Sequence, residues 1–220
     1  MVPLFSIPNL KRSEFLERPN RFVAHIKYNG EDTLAHVHDP GRLTELLHPH
    51  VKLLMVKGTA KLPWLVKAVQ SKSGEWVLLD SALHNRISCA VFPLIEEFKN
   101  FKEIRSEVPL GKSRIDFMMD GIPLEVKGVS LIKEGGNAYF PDAPTERGTR
   151  HVKEITQHQG MLLFLIFHKA RSFAPNKEMD PKFAEALSHA RKQNIPIICA
   201  QIHFDGETIF YNGKVPLADF

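Results

Sequence analysis

Residues 113–127 hold the dipeptide Asp120-Gly121 between two runs that alternate apolar and polar residues. Asp-Gly is a favoured two-residue hairpin loop because both of its positions must take positive φ. Placing that turn fixes the register, and a slip of one residue would send every side chain to the other face. Met119 then faces Ile122, Met118 faces Pro123, Phe117 faces Leu124, Asp116 faces Glu125, and Arg114 faces Lys127.

Two carboxylates opposed across neighbouring strands repel and destabilise the sheet. A hard divalent cation with oxygen ligands, Mg2+ or Mn2+, relieves that repulsion. Asp116 and Glu125 are therefore expected to be metal ligands. Lys127 lies two positions beyond Glu125 and projects from the same face, placed to orient a water or steady a phosphorane charge. These three residues are the catalytic candidates. If Gly111-Lys112 is a second two-residue loop, Glu107 faces Asp116 and becomes a third candidate ligand. The competing reading is a solvated sheet face on which Lys127 and Arg114 neutralise the acids in surface pairs.

Beyond the hairpin, Pro144 and Thr145 stand where a helix over residues 146–159 should begin, and Gly160 suits its C′ position. Amides at a helix N-terminus favour anions. Arg147, Arg150 and His151, followed by Glu154 and His158, recur at three- and four-residue spacing and share a face. Such a face would cradle phosphates, or simply be solvated. Arg147, Arg150 and His151 join Arg114 and Arg42 as nucleic-acid-binding candidates.

Between residues 20 and 80, short β-branched runs alternate with turn signals such as Asn29-Gly30 and Ser73-Gly74. The pattern predicts strands at 21–28, 33–38, 51–56, 65–71 and 76–79 and a short helix at 43–47. Five short strands suit a small OB-like Greek-key barrel, and an SH3-like barrel would read similarly. His36, His38, His48 and His50 lack cysteine partners and a clear further ligand, so surface or nucleic-acid contacts are favoured over zinc. Arg42 has two readings, a phosphate contact or an ion pair with Glu45. Trp64, Trp76 and the phenylalanines are expected in the core.

The period changes at Asp80. Leu83, Ile87, Ala90, Val91, Leu94, Ile95 and Phe98 fall at helical spacing, which predicts a helix of at least four turns capped by Asp80 or Ser81. Strands follow at 104–110, 113–119 and 122–127, then the helix above, a strand at 161–167, a helix at 181–193, a strand at 195–202 and a hairpin at 208–215. The expected organisation is an OB-like β-barrel over residues 1–81 and an αβββαβ core with further αβ elements over residues 82–220.

With 43% hydrophobic and 25% charged residues the chain can bury a core, and no disorder is needed. Its longest apolar stretch, residues 161–167, is far below the ~20 residues of a membrane span. Pro3, Pro8 and Lys11 interrupt the start of the chain, so no signal peptide is expected there, and a cytoplasmic protein without membrane attachment is inferred. Cys89 and Cys199 are far apart and read as buried thiols. A net charge of +4 permits a polyanion partner. A homodimer is the default assembly.

Asp116 followed by Glu125-Val126-Lys127 in this element order resembles the PD-(D/E)XK nuclease superfamily. More narrowly, the sequence resembles the sugar fermentation stimulation protein A family. The resemblance is carried by Pro40-Gly41-Arg42-Leu43, Leu83-His84-Asn85, Ser113-Arg114-Ile115-Asp116-Phe117, Glu125-Val126-Lys127-Gly128 and the segment from Phe140 through Thr145-Glu146-Arg147-Gly148-Thr149-Arg150 to His151. It covers most of the chain. It implies an OB-like domain joined to a nuclease-like domain, DNA as partner, a link to sugar metabolism, metal binding at Asp116 and Glu125, water assistance by Lys127, and an accessory place for Glu107.

Overall fold

Strand-forming sequence dominates the first eighty residues, and in the computed structural model, which describes residues 1–58, 61–111, 113–133 and 135–220, it builds seven strands. These are β1 (Val2–Ser6), β2 (Lys11–Asn20), β3 (Val23–Tyr28), β4 (Glu31–His36), β5 (Lys52–Lys57), β6 (Trp64–Gln70) and β7 (Trp76–Leu78). Five of them close a barrel in the order β4-β3-β2-β5-β6, sealed where β4 runs parallel to β6 at Ala35 with Trp64 and His36 with Leu65. Alternate residues fill it: Phe15, Ala24, Ile26, Ala35, Leu53, Met55, Val66 and Ala68 are all buried. This is the OB barrel, but with a different strand set. β2, which was not expected, is central, and the strand expected at 76–79 lies outside the closed ring as β7. Residues 43–47 form a hydrogen-bonded turn, Leu47 N to Leu43 O at 2.8 Å, instead of the expected helix.

After a 3-10 turn at Ser81–Leu83, the second half contains α1 (His84–Val91), β8 (Ile104–Leu110), β9 (Ser113–Met119), β10 (Ile122–Val129), β11 (Leu131–Ile132), β12 (Ala138–Phe140), α2 (Glu146–Gln157), β13 (Met161–Ile166), β14 (Phe173–Pro175), α3 (Pro181–Lys192), β15 (Ile197–Phe204) and β16 (Thr208–Lys214). The long helix expected after Asp80 is two turns, continued by a 3-10 turn at Phe92–Leu94 with Pro93 inside it. Proline has no amide to donate and ends the α ladder there while the apolar periodicity runs on. Residues 208–215 do not form the expected hairpin by themselves; β16 is one strand, paired with β15 before it and with β1.

The chain divides into two units, Met1–Leu83 with Ile202–Asn212, and His84–Gln201 with Gly213–Phe220. The second unit has a mixed sheet ordered β15-β13-β10-β9-β8, in which β10, β13 and β15 are parallel and β9 and β8 antiparallel. Parallel neighbours need crossovers, and α2 and α3 supply them. β13 is buried along its whole length, as expected for a strand covered on both faces. A small sheet β11-β12-β14 stands apart. No helix among the described residues is long and apolar enough to cross a membrane.

The end of α2 sets where β13 begins. Gln159 takes φ 49°, its amide bonds the Thr156 carbonyl and the Gly160 amide bonds the Ile155 carbonyl, which is a Schellman closure. Gly160 is thus C″ and not the expected C′. It is glycine for a packing reason, because a Cβ there would lie 2.4 Å from the Pro123 carbonyl oxygen of β10.

Candidate active site

The Asp120-Gly121 turn forms with φ 47° and 85°, and Asp120 Oδ1 also accepts the Glu103 amide at 2.7 Å. The expected register holds for Ile122 with Met119, Pro123 with Met118 and Leu124 with Phe117, and the ladder ends there. Asp116 and Glu125 are not a ladder pair, nor are Arg114 and Lys127. Asp116 causes the opening: its Oδ2 accepts the Val126 amide at 2.6 Å, a side chain standing where a backbone carbonyl would. β10 pairs instead with β13, from Leu124 with Met161 to Val129 with Ile166.

The opened hairpin still brings the acids and the lysine together. Glu125 is 2% exposed; its Oε1 takes bonds from Lys127 Nζ and from His151 Nδ1. Among the described residues its Oε2 is buried without a hydrogen-bond partner. Burial alone would raise the Glu125 pKa, but Lys127 and His151 outweigh it and hold the carboxyl below the usual range. Burial, reinforced by the Glu125 charge and opposed by Lys127, pushes Asp116 up to about 6. The environments of the two acids therefore differ sharply.

Glu107 departs from expectation. The β8–β9 pairs on either side of it, Ser106 with Phe117 and Val108 with Ile115, keep the register that sets it opposite Asp116. Of the turn expected to produce that register, Lys112 lies outside the described residues. Glu107 itself takes φ 55°, and its carboxylate binds Asn85 Nδ2 at 2.9 Å and Arg114 Nε at 3.2 Å. Its charge still raises Asp116, but it is held by those partners. Among the described residues no group of three or more histidine, cysteine or acidic side chains is arranged to hold a metal ion. What remains is a pair of carboxylates, one with a buried oxygen in want of a partner. That donor set fits Mg2+, which is usually held by one or two carboxylates and keeps several waters.

His151 is the largest correction. Expected among the phosphate-holding cations, its side chain is buried against Glu125. Arg147 Nε donates to its Nε2 at 3.4 Å, so Nδ1 carries the proton that Glu125 receives. Thr145 starts the helix that delivers it, accepting the Gly148 amide at 3.0 Å as N-cap. Arg147 and Arg150 are exposed on α2, with Arg150 Nε 3.4 Å from Ser113 Oγ. Arg114 pairs with Glu107, and Arg42 is exposed in the barrel unit with no ion pair to Glu45 in evidence among the described residues. Sequence reading also missed Asn85 and His84. The His84 ring occupies the space over Gly128, where a Cβ would lie 2.4 Å from it, and the Leu83-His84-Asn85 motif was the available signal.

Fold and site together define a protein with an N-terminal OB barrel and a mixed α/β unit whose opened hairpin carries two acids and a lysine. Residues 16–79 match the model of the SfsA N-terminal OB domain and residues 82–208 that of the sugar fermentation stimulation protein RE domain. The chain belongs to the sugar fermentation stimulation protein family. It is 39% identical over 213 residues to the homolog of Methanothermobacter thermautotrophicus, covering 90% of this chain and 88% of that one. It is 37% identical over 209 residues to the Clostridium novyi homolog, covering 88% and 90%. The structure of Pyrococcus furiosus SfsA in complex with Ca2+ matches over 100% of both chains with TM-score 0.91 and 25% identity.

Proposed function

We propose that this protein is a Mg2+- or Mn2+-dependent phosphodiesterase acting on DNA, its second unit following the PD-(D/E)XK nuclease plan. The observation that carries the reading is the buried, unpartnered Glu125 Oε2 beside Asp116. The Ca2+ in the complex of the related Pyrococcus protein supports a divalent cation. Asp116 and Glu125 would hold the ion. When bound, such an ion polarises a phosphodiester oxygen and acidifies a water. Lys127, fastened to Glu125, keeps an ammonium at the site to orient the attacking water, and exposed Arg147 and Arg150 on α2 suit the flanking phosphates.

The test is incubation of single-stranded, duplex and branched DNA with Mn2+. Cleavage is expected in wild type and loss of it in Asp116→Ala and Lys127→Ala. Uncut substrates throughout, or an Asp116→Ala protein as active as wild type, defeat the proposal. One observation favours a second reading, a non-catalytic DNA-binding regulator of sugar metabolism genes. Lys127 and His151 both engage the same Glu125 oxygen, an arrangement that neutralises the acid without any ion. Salt-sensitive DNA binding with no metal-dependent cleavage would select that reading.

A further inference from the structure

We propose that the barrel unit carries a binding surface for unpaired nucleotides, with the rings of Phe22, His36 and His38 as stacking platforms and Arg21 and Arg42 as phosphate contacts. Phe22 was expected in the core, yet it is 50% exposed in the turn between β2 and β3. Its ring stacks on His36 with centroids 6.3 Å apart and planes 19° apart. His36 in turn lies 5.5 Å from His38. The row runs from the loop between the first and second barrel strands, β2 and β3, to the end of the third, β4, at the part of this architecture open to oligonucleotides.

The row is held in place from beneath. His38 Nδ1 is 3.1 Å from Asp80 Oδ1, and the Asp80 side chain is 1% exposed and clamped by Lys67. Ser81 Oγ donates to the His38 carbonyl. Arg18 ties together the loops on either side, its guanidinium donating to the carbonyls of Arg21, Asp39, Gly41 and Arg42. A half-exposed imidazole on an ordinary surface needs no buried carboxylate to fix its plane; one that must present a face to a ligand does. With Arg18 occupied in holding backbone, the side chains of Arg21 and Arg42 are exposed on the two loops it joins.

Flat faces flanked by guanidinium groups match a strand whose bases are unstacked and whose phosphates run alongside. A duplex hides its base faces inside its own stack and has nothing to offer the row. The surface uses residues of the barrel unit alone, so its test runs without metal and stands apart from cleavage. Binding of a labelled oligothymidylate of roughly 12 nucleotides, within the ~4 to 16 nucleotides an OB fold covers, is measured by anisotropy in EDTA. A duplex and an oligouridylate of equal length serve as comparisons. Wild type should prefer the single strand to the duplex; Phe22→Ala should weaken oligothymidylate binding roughly tenfold and Phe22→Trp should restore it. Oligouridylate binding with the same dependence on Phe22 supports the surface equally and extends it to RNA. Affinity unchanged by Phe22→Ala, a duplex bound as tightly as the single strand, or no binding of either strand overturns the proposal, whatever the outcome of the Mn2+ cleavage assay.

Discussion

His151 reaches from α2 to place its Nδ1 on Glu125 Oε1, the same oxygen that Lys127 holds, and so leaves Glu125 Oε2 as the one oxygen of that carboxylate available to a cation. A donor that fixes a ligand carboxylate commonly governs metal affinity by ten- to a hundredfold. His151→Ala is accordingly expected to weaken Mn2+ binding by roughly 10- to 100-fold in calorimetry. His151→Asn, whose amide nitrogen can stand in for Nδ1, should recover most of it. Equal affinity in wild type and His151→Ala would show that Glu125 needs no such support.

Asp116 makes the folded state costly at neutral pH. Its pKa rises from 3.8 to about 6 on folding, so the folded protein binds that proton more tightly than the unfolded chain does. Stability therefore falls as pH rises from about 4 to about 6, and the penalty persists above that range, up to ~3 kcal/mol. Asn cannot ionise and can still accept the Val126 amide. Asp116→Asn should melt higher than wild type in EDTA at pH 8, and the two curves should converge below about pH 4. A lower melting temperature for the variant at pH 8 contradicts the burial argument.

Legibility followed the range of the forces involved. The Asp-Gly turn is local, so β9, the start of β10 and their three nearest pairs could be read from sequence. The opening beyond Leu124 could not, because it depends on a side chain replacing a backbone acceptor. β2 escaped notice because its sequence does not alternate cleanly: only Ser13 and Phe15 are buried, and its pairing with β3 shifts register twice. His151 was assigned to the wrong partner because charge spacing along a helix places a cation on a face without saying what that face meets. The same limit hid Phe22, since an exposed aromatic and a core one look alike in sequence.

Gly160 is required by contact. Its Cβ would sit 2.4 Å from the Pro123 carbonyl oxygen and 2.8 Å from Pro123 Cγ, and neither backbone nor ring can swing aside. Gly160→Ala should cost roughly 1 to 3 kcal/mol, read as a lower urea midpoint with an unchanged slope. A wild-type midpoint would mean that β10 and the α2–β13 junction shift apart freely.

Lys67 and Asp80 form the ion pair beneath His38, with side chains 12% and 1% exposed. Removing one member of a buried pair strands the other charge, which costs about 3 to 5 kcal/mol, whereas replacing both by apolar groups is often neutral. Lys67→Met should therefore destabilise the barrel strongly, because among the described residues the Asp80 side chain would keep the His38 imidazole and the Ala82 amide at 3.2 Å. Lys67→Met with Asp80→Leu should regain much of the loss while freeing His38 to rotate. Because the row depends on His38 being fixed, the double variant should still bind oligothymidylate less tightly than wild type even where its stability is regained. A single Lys67→Met variant that melts like wild type would show that the pair contributes nothing to stability.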